Sequence, residues 1–152
     1  SRQVPMLKHL QDYPSDPYCS HVRVMDRLKR ELEKYDYLII GFDFDDTIYD
    51  YHQRGYTYNY VIELLRKAKE IGFILCLYTV EPDPNKLQWK IDYCTNLGIE
   101  PDYVNKSPVM MSTSKPFFNI LLDDRAGLYG SYLALKEIID YANSKSNQFR
   151  EG

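Results

Sequence analysis

The chain has 152 residues, 44% hydrophobic and 27% charged, with a formal net charge of −3. That length suits one domain with a sizeable core, and the composition is ordinary for a globular protein. No charge excess points to nucleic acid or a membrane surface, no apolar run reaches membrane-spanning length, and the N-terminus lacks a signal-peptide core.

Residues 1–19, with Pro5, Pro14 and Pro17, read as an irregular arm. Ser20 is placed to cap a helix from His21 to about Lys34, with Val24 or Met25, Leu28 and Leu32 as its apolar stripe. The run RLKRELEK is its solvated face, and the interleaved Glu31 and Glu33 argue against a basic nucleic-acid patch. Leu38, Ile39, Ile40 and Phe42 then form an apolar run that predicts a buried strand of a parallel sheet. It leads straight into Asp43-Phe44-Asp45-Asp46-Thr47. Strand alternation puts Asp43 and Asp45 on one side and Phe44 on the other. Carboxylates this close at the edge of a core need protons or a cation, and a hard divalent ion with oxygen ligands meets that need.

From Ile48 to Tyr58 the chain is rich in tyrosine, with Tyr49, Tyr51, Tyr56 and Tyr58 around Gly55 and Tyr60 just beyond. These rings pack the segment or stack on a sugar or base, and packing is the expectation. His52 and Arg54 are candidate substrate contacts. Thr57 or Asn59 caps a helix over Tyr60 to Glu70, with Val61, Ile62, Leu64, Leu65 and Ala68 on its apolar face and Gly72 past its end. Phe73 to Thr79 is a second apolar strand that ends in a hydroxyl. Asp83 caps and Pro84 opens the next helix, whose apolar residues are Leu87, Ile91, Cys94 and Leu97, with Gly98 as its stop. Trp89 on this helix is expected to pack.

Asp102 to Asn105 predicts a short third strand, and Lys106 to Ser114 a loop. Asn119 to Leu122 is a fourth buried run, ending in Asp123-Asp124. The last helix is expected over Gly130 to about Asn143, with Leu133, Ala134, Ile138, Ile139 and Tyr141 apolar, followed by a frayed polar tail. Three cysteines, Cys19, Cys76 and Cys94, form an odd set without metal-ligand spacing and predict reduced thiols in a cytoplasmic setting.

Alternating strands and helices imply an α/β protein with a mainly parallel sheet and right-handed crossovers. Asp43, Asp45, Thr79, Lys115, Asp123 and Asp124 then fall at the carboxyl edge of that sheet, where open α/β sheets bind ligands. Asp43-x-Asp45-x-Thr47 after an apolar strand resembles the first motif of the haloacid dehalogenase (HAD) superfamily, mostly Mg²⁺-dependent phosphatases. Thr79 at the end of the second strand resembles its second motif, Lys115 its third, and Asp123-Asp124 its fourth. The resemblance covers about Tyr37 to Tyr141.

What the resemblance implies is specific. The fold would be a Rossmann-like three-layer sandwich, the HAD core, with strand order 4-1-2-3. A single HAD-like domain would span 1–152, with an N-terminal arm and helix over 1–35, the catalytic core over 36–143 and the tail over 144–152. A single helical turn and a β-hairpin flap would follow the first motif, with Gly55 at the bend. Neither Thr47 to Thr79 nor Thr79 to Lys115 has room for a cap domain, as in small capless members. Lys115 lies eight residues before Asp123, a shorter gap than many members have, which leaves Lys106 as an alternative.

In the chemistry this implies, Mg²⁺ is held by Asp43, the backbone carbonyl of Asp45 and an acid from Asp123 or Asp124. Asp43 attacks phosphorus to give an aspartyl-phosphate, and Asp45 protonates the leaving oxygen and then activates water. Thr79 and Lys115 bind the phosphoryl oxygens. The expectation is a phosphoric monoester hydrolase whose phosphorylated substrate is a sugar, a nucleotide or polynucleotide end, or a phosphoprotein. Assembly as a homo-oligomer stays open. Two alternatives stand beside it. A receiver-like phosphoacceptor would carry its acceptor aspartate at the end of the third strand, and a HAD-derived binding module would lack turnover.

Overall fold

The structure is a computed structural model that describes residues 20–109, 113 and 115–151, with side chains described as far as residue 147. The arm expected over 1–19, with Cys19, lies outside the described residues, as do parts of the 106–114 loop and of the tail. The chain groups into two compact units, residues 1–36 and 37–152.

In the first unit, α1 spans His21–Tyr35. Ser20 is extended, and its Oγ accepts the Arg23 N–H at 3.1 Å, satisfying one of the donors a helix start leaves free. Met25, Leu28 and Leu32 form the buried stripe. The helix stops at Asp36, which turns into the left-handed region at φ 67° while its N–H still donates to the Leu32 carbonyl at 2.8 Å.

The second unit runs β1 (Ile39–Phe42), α2 (Asn59–Glu70), β2 (Ile74–Leu77), α3 (Pro84–Asn96), β3 (Tyr103–Val104), β4 (Ile120–Leu122) and α4 (Leu128–Glu151). The four strands form one parallel sheet in the order β3-β2-β1-β4, which is the expected 4-1-2-3 read from the other edge. β1 is central and every residue of it is buried, which is why it lacks an alternating pattern. Ile40 pairs with Leu75 on one side and Ile120 on the other, and Phe42 with Leu77 and Leu122. A Cβ on Gly41 would stand 3.2 Å from Leu121 and 3.3 Å from both Phe118 and Tyr78, so the strand's neighbours close over the bare backbone. α2 packs on β2, α4 on β4, and the two helices on each other.

The strands are short, and side chains finish their ladders. Asp102 accepts the Leu75 N–H at 2.8 Å, Asn119 Oδ1 accepts the Ile39 N–H at 2.7 Å, and Asn105 Oδ1 accepts the Thr79 N–H at 2.8 Å. Each supplies an acceptor where the neighbouring strand has run out.

Two expectations are corrected. The β-hairpin after the first motif is absent from the described residues. The Phe44 carbonyl instead accepts the N–H groups of Thr47, Ile48 and Tyr49, making the expected single turn. Asp50 then takes the N–H groups of Arg54 and Gly55 at 3.0 and 2.7 Å, which occupies donors that a hairpin ladder would need. Residues 144–151 of the expected polar tail belong instead to α4, which runs on to Glu151, because no glycine or proline interrupts the sequence between Gly130 and that point. Among the described residues no helix is long and apolar enough to cross a membrane.

Candidate functional site

Asp43 directly follows β1, and Asp123-Asp124 follows its neighbour β4. The Asp43 N–H donates to the Leu122 carbonyl at 2.9 Å, a last rung that sets the two strand ends side by side. Carboxylate oxygens of Asp43, Asp123 and Asp124 all lie within 4.8 Å of one another. Asp43 and Asp123 are half-buried and Asp124 is exposed. Thr47, fully buried, joins the two segments through one hydroxyl. Its Oγ1 donates to Asp43 Oδ2 at 3.4 Å and accepts the Asp124 N–H at 3.1 Å.

Burial first, and the Asp123 charge second, push the Asp43 carboxyl from its ordinary 3.8 up to about 7. The Phe44 N–H opposes the rise, and Asp124 adds to it by hydrogen bond and by charge. Carboxyl groups this close repel one another when ionised. The cluster calls for a proton or a cation, and an all-oxygen donor set fits Mg²⁺.

Asp45 belongs to a different polar group. Its carboxylate lies 3.5 Å from Lys90 Nζ. Asp43 and Asp45 were expected on one side of a strand, but β1 ends at Phe42 and the chain turns at once. Lys90, on α3, is only 6% exposed. It donates to Thr79 Oγ1 at 2.9 Å, lies 3.5 Å from Glu81 Oε1, and sits 5.2 Å from the centre of the Phe44 ring. Thr79, two residues beyond β2, is buried. The structure therefore gathers Asp43, Asp123 and Asp124 in one group, and Asp45 and Thr79 in a second around Lys90.

Lys115 is exposed, and its ammonium has no partner among the described residues. Lys106 is also exposed and lies over the Tyr103 ring at 6.0 Å. Lys90 was missed in the sequence, although a signal was there. It stands three residues after Leu87 and four before Cys94, inside the helix's apolar stripe, and Lys90 and Cys94 are the residues α3 buries. A lysine at such a position is buried only with partners.

Asp46, the remaining acid of the Asp43–Thr47 stretch, is buried with φ 59°. It is paired with His52 through the imidazole Nδ1, and the His52 N–H reaches its other oxygen at 3.4 Å. Burial raises the Asp46 pKa, but the His52 hydrogen bonds and charge outweigh it and hold the carboxyl below its ordinary range. Tyr49, Trp89 and Tyr93 pack with Phe44 in a cluster whose ring centres are 5.3 to 5.8 Å apart. Tyr58 is buried, while Tyr51, Tyr56 and Tyr60 are each more than half exposed. Asp102 stands at the amino end of β3, holding the Leu75 N–H.

No family model matches the chain, and no curated protein does. The chain is similar to a solved structure described as the conserved protein coded by locus from Bacteroides thetaiotaomicron. The identity is 25% and the TM-score 0.54, over 68% of this chain and 90% of that one. Fold and site together define an α/β protein with a four-stranded parallel sheet and an aspartate cluster at its carboxyl edge.

Proposed function

We propose that the protein is a Mg²⁺-dependent phosphoric monoester hydrolase of the HAD type, with the HAD core's Rossmann-like three-layer arrangement and no cap. The observation that carries this reading is the half-buried Asp43 carboxyl, crowded by Asp123 and Asp124 and raised to about 7. Asp43, the backbone carbonyl of Asp45, Asp123 and Asp124 would hold the ion. Bound there, Mg²⁺ supplies the positive charge that lets an anionic nucleophile meet an anionic ester.

An Asp43 carboxylate oxygen attacks phosphorus as the bond to the leaving oxygen breaks, forming an aspartyl-phosphate. Asp45 gives the leaving oxygen its proton and later takes one from the water that hydrolyses the intermediate, releasing inorganic phosphate. Thr79 donates to a phosphoryl oxygen as charge builds there. The resemblance gives the cationic part to Lys115, whereas the ammonium in contact with Asp45 and Thr79 is that of Lys90. Only a loop and one helix separate β1 from β2, which leaves no room for a cap domain between them. Asp102 at the amino end of β3, with Asn105 at the other end, favours the hydrolase over a receiver-like acceptor. The buried free thiols of Cys76 and Cys94 suit a reducing, cytoplasmic setting.

The test is Mg²⁺-dependent release of phosphate from a generic aryl phosphate by the parent and by Asp43→Asn. Activity that requires Mg²⁺ and is abolished in the variant supports the reading. Loss of neither activity nor Mg²⁺ binding in the variant would refute it.

A further inference from the structure

A lysine ammonium has three donors and no acceptor. At the 2.9 Å contact Lys90 Nζ therefore donates and Thr79 Oγ1 accepts. The Thr79 hydroxyl proton is left over, and no acceptor takes it among the described residues. The Thr79 N–H is already used by Asn105 Oδ1 at 2.8 Å, so the residue is held at its backbone and at its oxygen while the proton is unassigned.

Lys90 is ringed by acceptors. Three oxygens lie near its ammonium, Thr79 Oγ1 at 2.9 Å and carboxyl oxygens of Asp45 and Glu81 at 3.5 Å each, and the centre of the Phe44 ring is 5.2 Å away. With 6% exposure it does not present a free charge to solvent. Two carboxyl groups, those of Asp45 and Glu81, share this one ammonium.

We propose that Lys90 is a positioning residue for Thr79. By occupying the acceptor side of the hydroxyl, it fixes Thr79 as a donor aimed at an incoming phosphoryl oxygen, with Glu81 and Asp45 holding the lysine in place. This rests on the phosphatase reading above.

The test is a mutant cycle joining Lys90→Met to Thr79→Val and to Thr79→Ser. The readouts are kcat and KM on an aryl phosphate and a ³¹P NMR titration of inorganic phosphate, both with Mg²⁺. Lys90→Met alone is expected to lower kcat about 100-fold, the scale for losing one preorganised oxyanion donor, with KM changed far less. In the Thr79→Ser background the loss should persist, because the oxygen is retained. In the Thr79→Val background it should shrink to about threefold or less, since coupled neighbours are not additive. Phosphate affinity should follow the same pattern. An equal loss in the Val and parent backgrounds, or no loss in the parent, overturns the proposal while leaving the hydrolase reading standing. A parent that neither hydrolyses the ester nor binds phosphate overturns both. If Lys90→Met fails to fold, Lys90→Met with Glu81→Gln replaces a carboxyl that has lost its ammonium partner and takes its place in the cycle. Failure of that variant to fold as well would assign Lys90 to stability alone and overturn the proposal.

Discussion

Replacing Asp43 by asparagine should stabilise the metal-free protein, and only above a definite pH. The Asp43 carboxyl is raised from 3.8 to about 7 in the folded chain. A carboxyl raised on folding binds more protons in the native state than in the unfolded one, so stability is fully present below 3.8 and is lost as pH climbs through about 7. A shift of three units corresponds to a ceiling of about 4 kcal/mol. Asp43 is half-buried, and solvent screening brings the working figure to about 2 kcal/mol. Asparagine has almost the same shape and cannot ionise, so it removes this penalty.

For a chain of this size about 2 kcal/mol is roughly a 6 °C shift in Tm. Thermal scans in a chelating buffer should therefore place Asp43→Asn about 6 °C above the parent near pH 8, with the gap closing toward pH 4. Added Mg²⁺ should raise the parent's Tm by mass action and leave the variant nearly unmoved. Parallel pH profiles for the two proteins would show that Asp43 is not under charge strain, and the reasoning that ties this cluster to a cation would fall with it.

Thr47→Val tests the hydroxyl that joins the two motif segments. It leaves the Asp124 N–H without its acceptor at a partly buried site, and urea unfolding should record a loss of about 1–3 kcal/mol. If the cluster holds Mg²⁺ as proposed, calorimetric titration should show its affinity reduced at least about tenfold, the scale for residues that orient metal ligands. Unchanged affinity would mean that Thr47 serves the turn alone. His52→Ala removes the partner that holds Asp46 below its ordinary range, so the variant should lose about 1 kcal/mol at neutral pH. A depressed carboxyl contributes stability above 3.8 and loses it as pH falls through the lower folded value, so the deficit should vanish in acid. A deficit that stays constant from pH 7 to pH 3 would contradict the pairing.

The strands were legible because buried parallel strands must be continuous apolar runs, and Ile39 to Phe42, Ile74 to Leu77 and Ile120 to Leu122 are such runs separated by helices, whereas their order in the sheet came only from the resemblance. Asp43, Asp123 and Asp124 were legible for the same reason, since each follows a strand end. Lys90 was hidden because a stripe is read from its apolar members, and the oxygens that make a buried lysine tolerable lie on other elements, at Asp45, Thr79 and Glu81. The missing hairpin has a similar cause. Gly55 is a local bend signal, whereas the Asp50 carboxylate that claims the nearby N–H groups acts through a side chain.

Asp45 shows how far alternation carries. It holds while the chain is a strand, and here the strand stops at Phe42. Phe44, fully buried, is the fixed point after it. Its carbonyl gathers three N–H groups into the turn, and its ring is locked among Tyr49, Trp89 and Tyr93 and beneath Lys90. From that anchor Asp43 faces Asp123 and Asp124 while Asp45 faces Lys90. The anchor keeps the two carboxyls apart, one crowded by acids and the other beside an ammonium. Two acids one residue apart in the chain thereby acquire different electrostatic partners, which is the condition for giving them different chemical tasks.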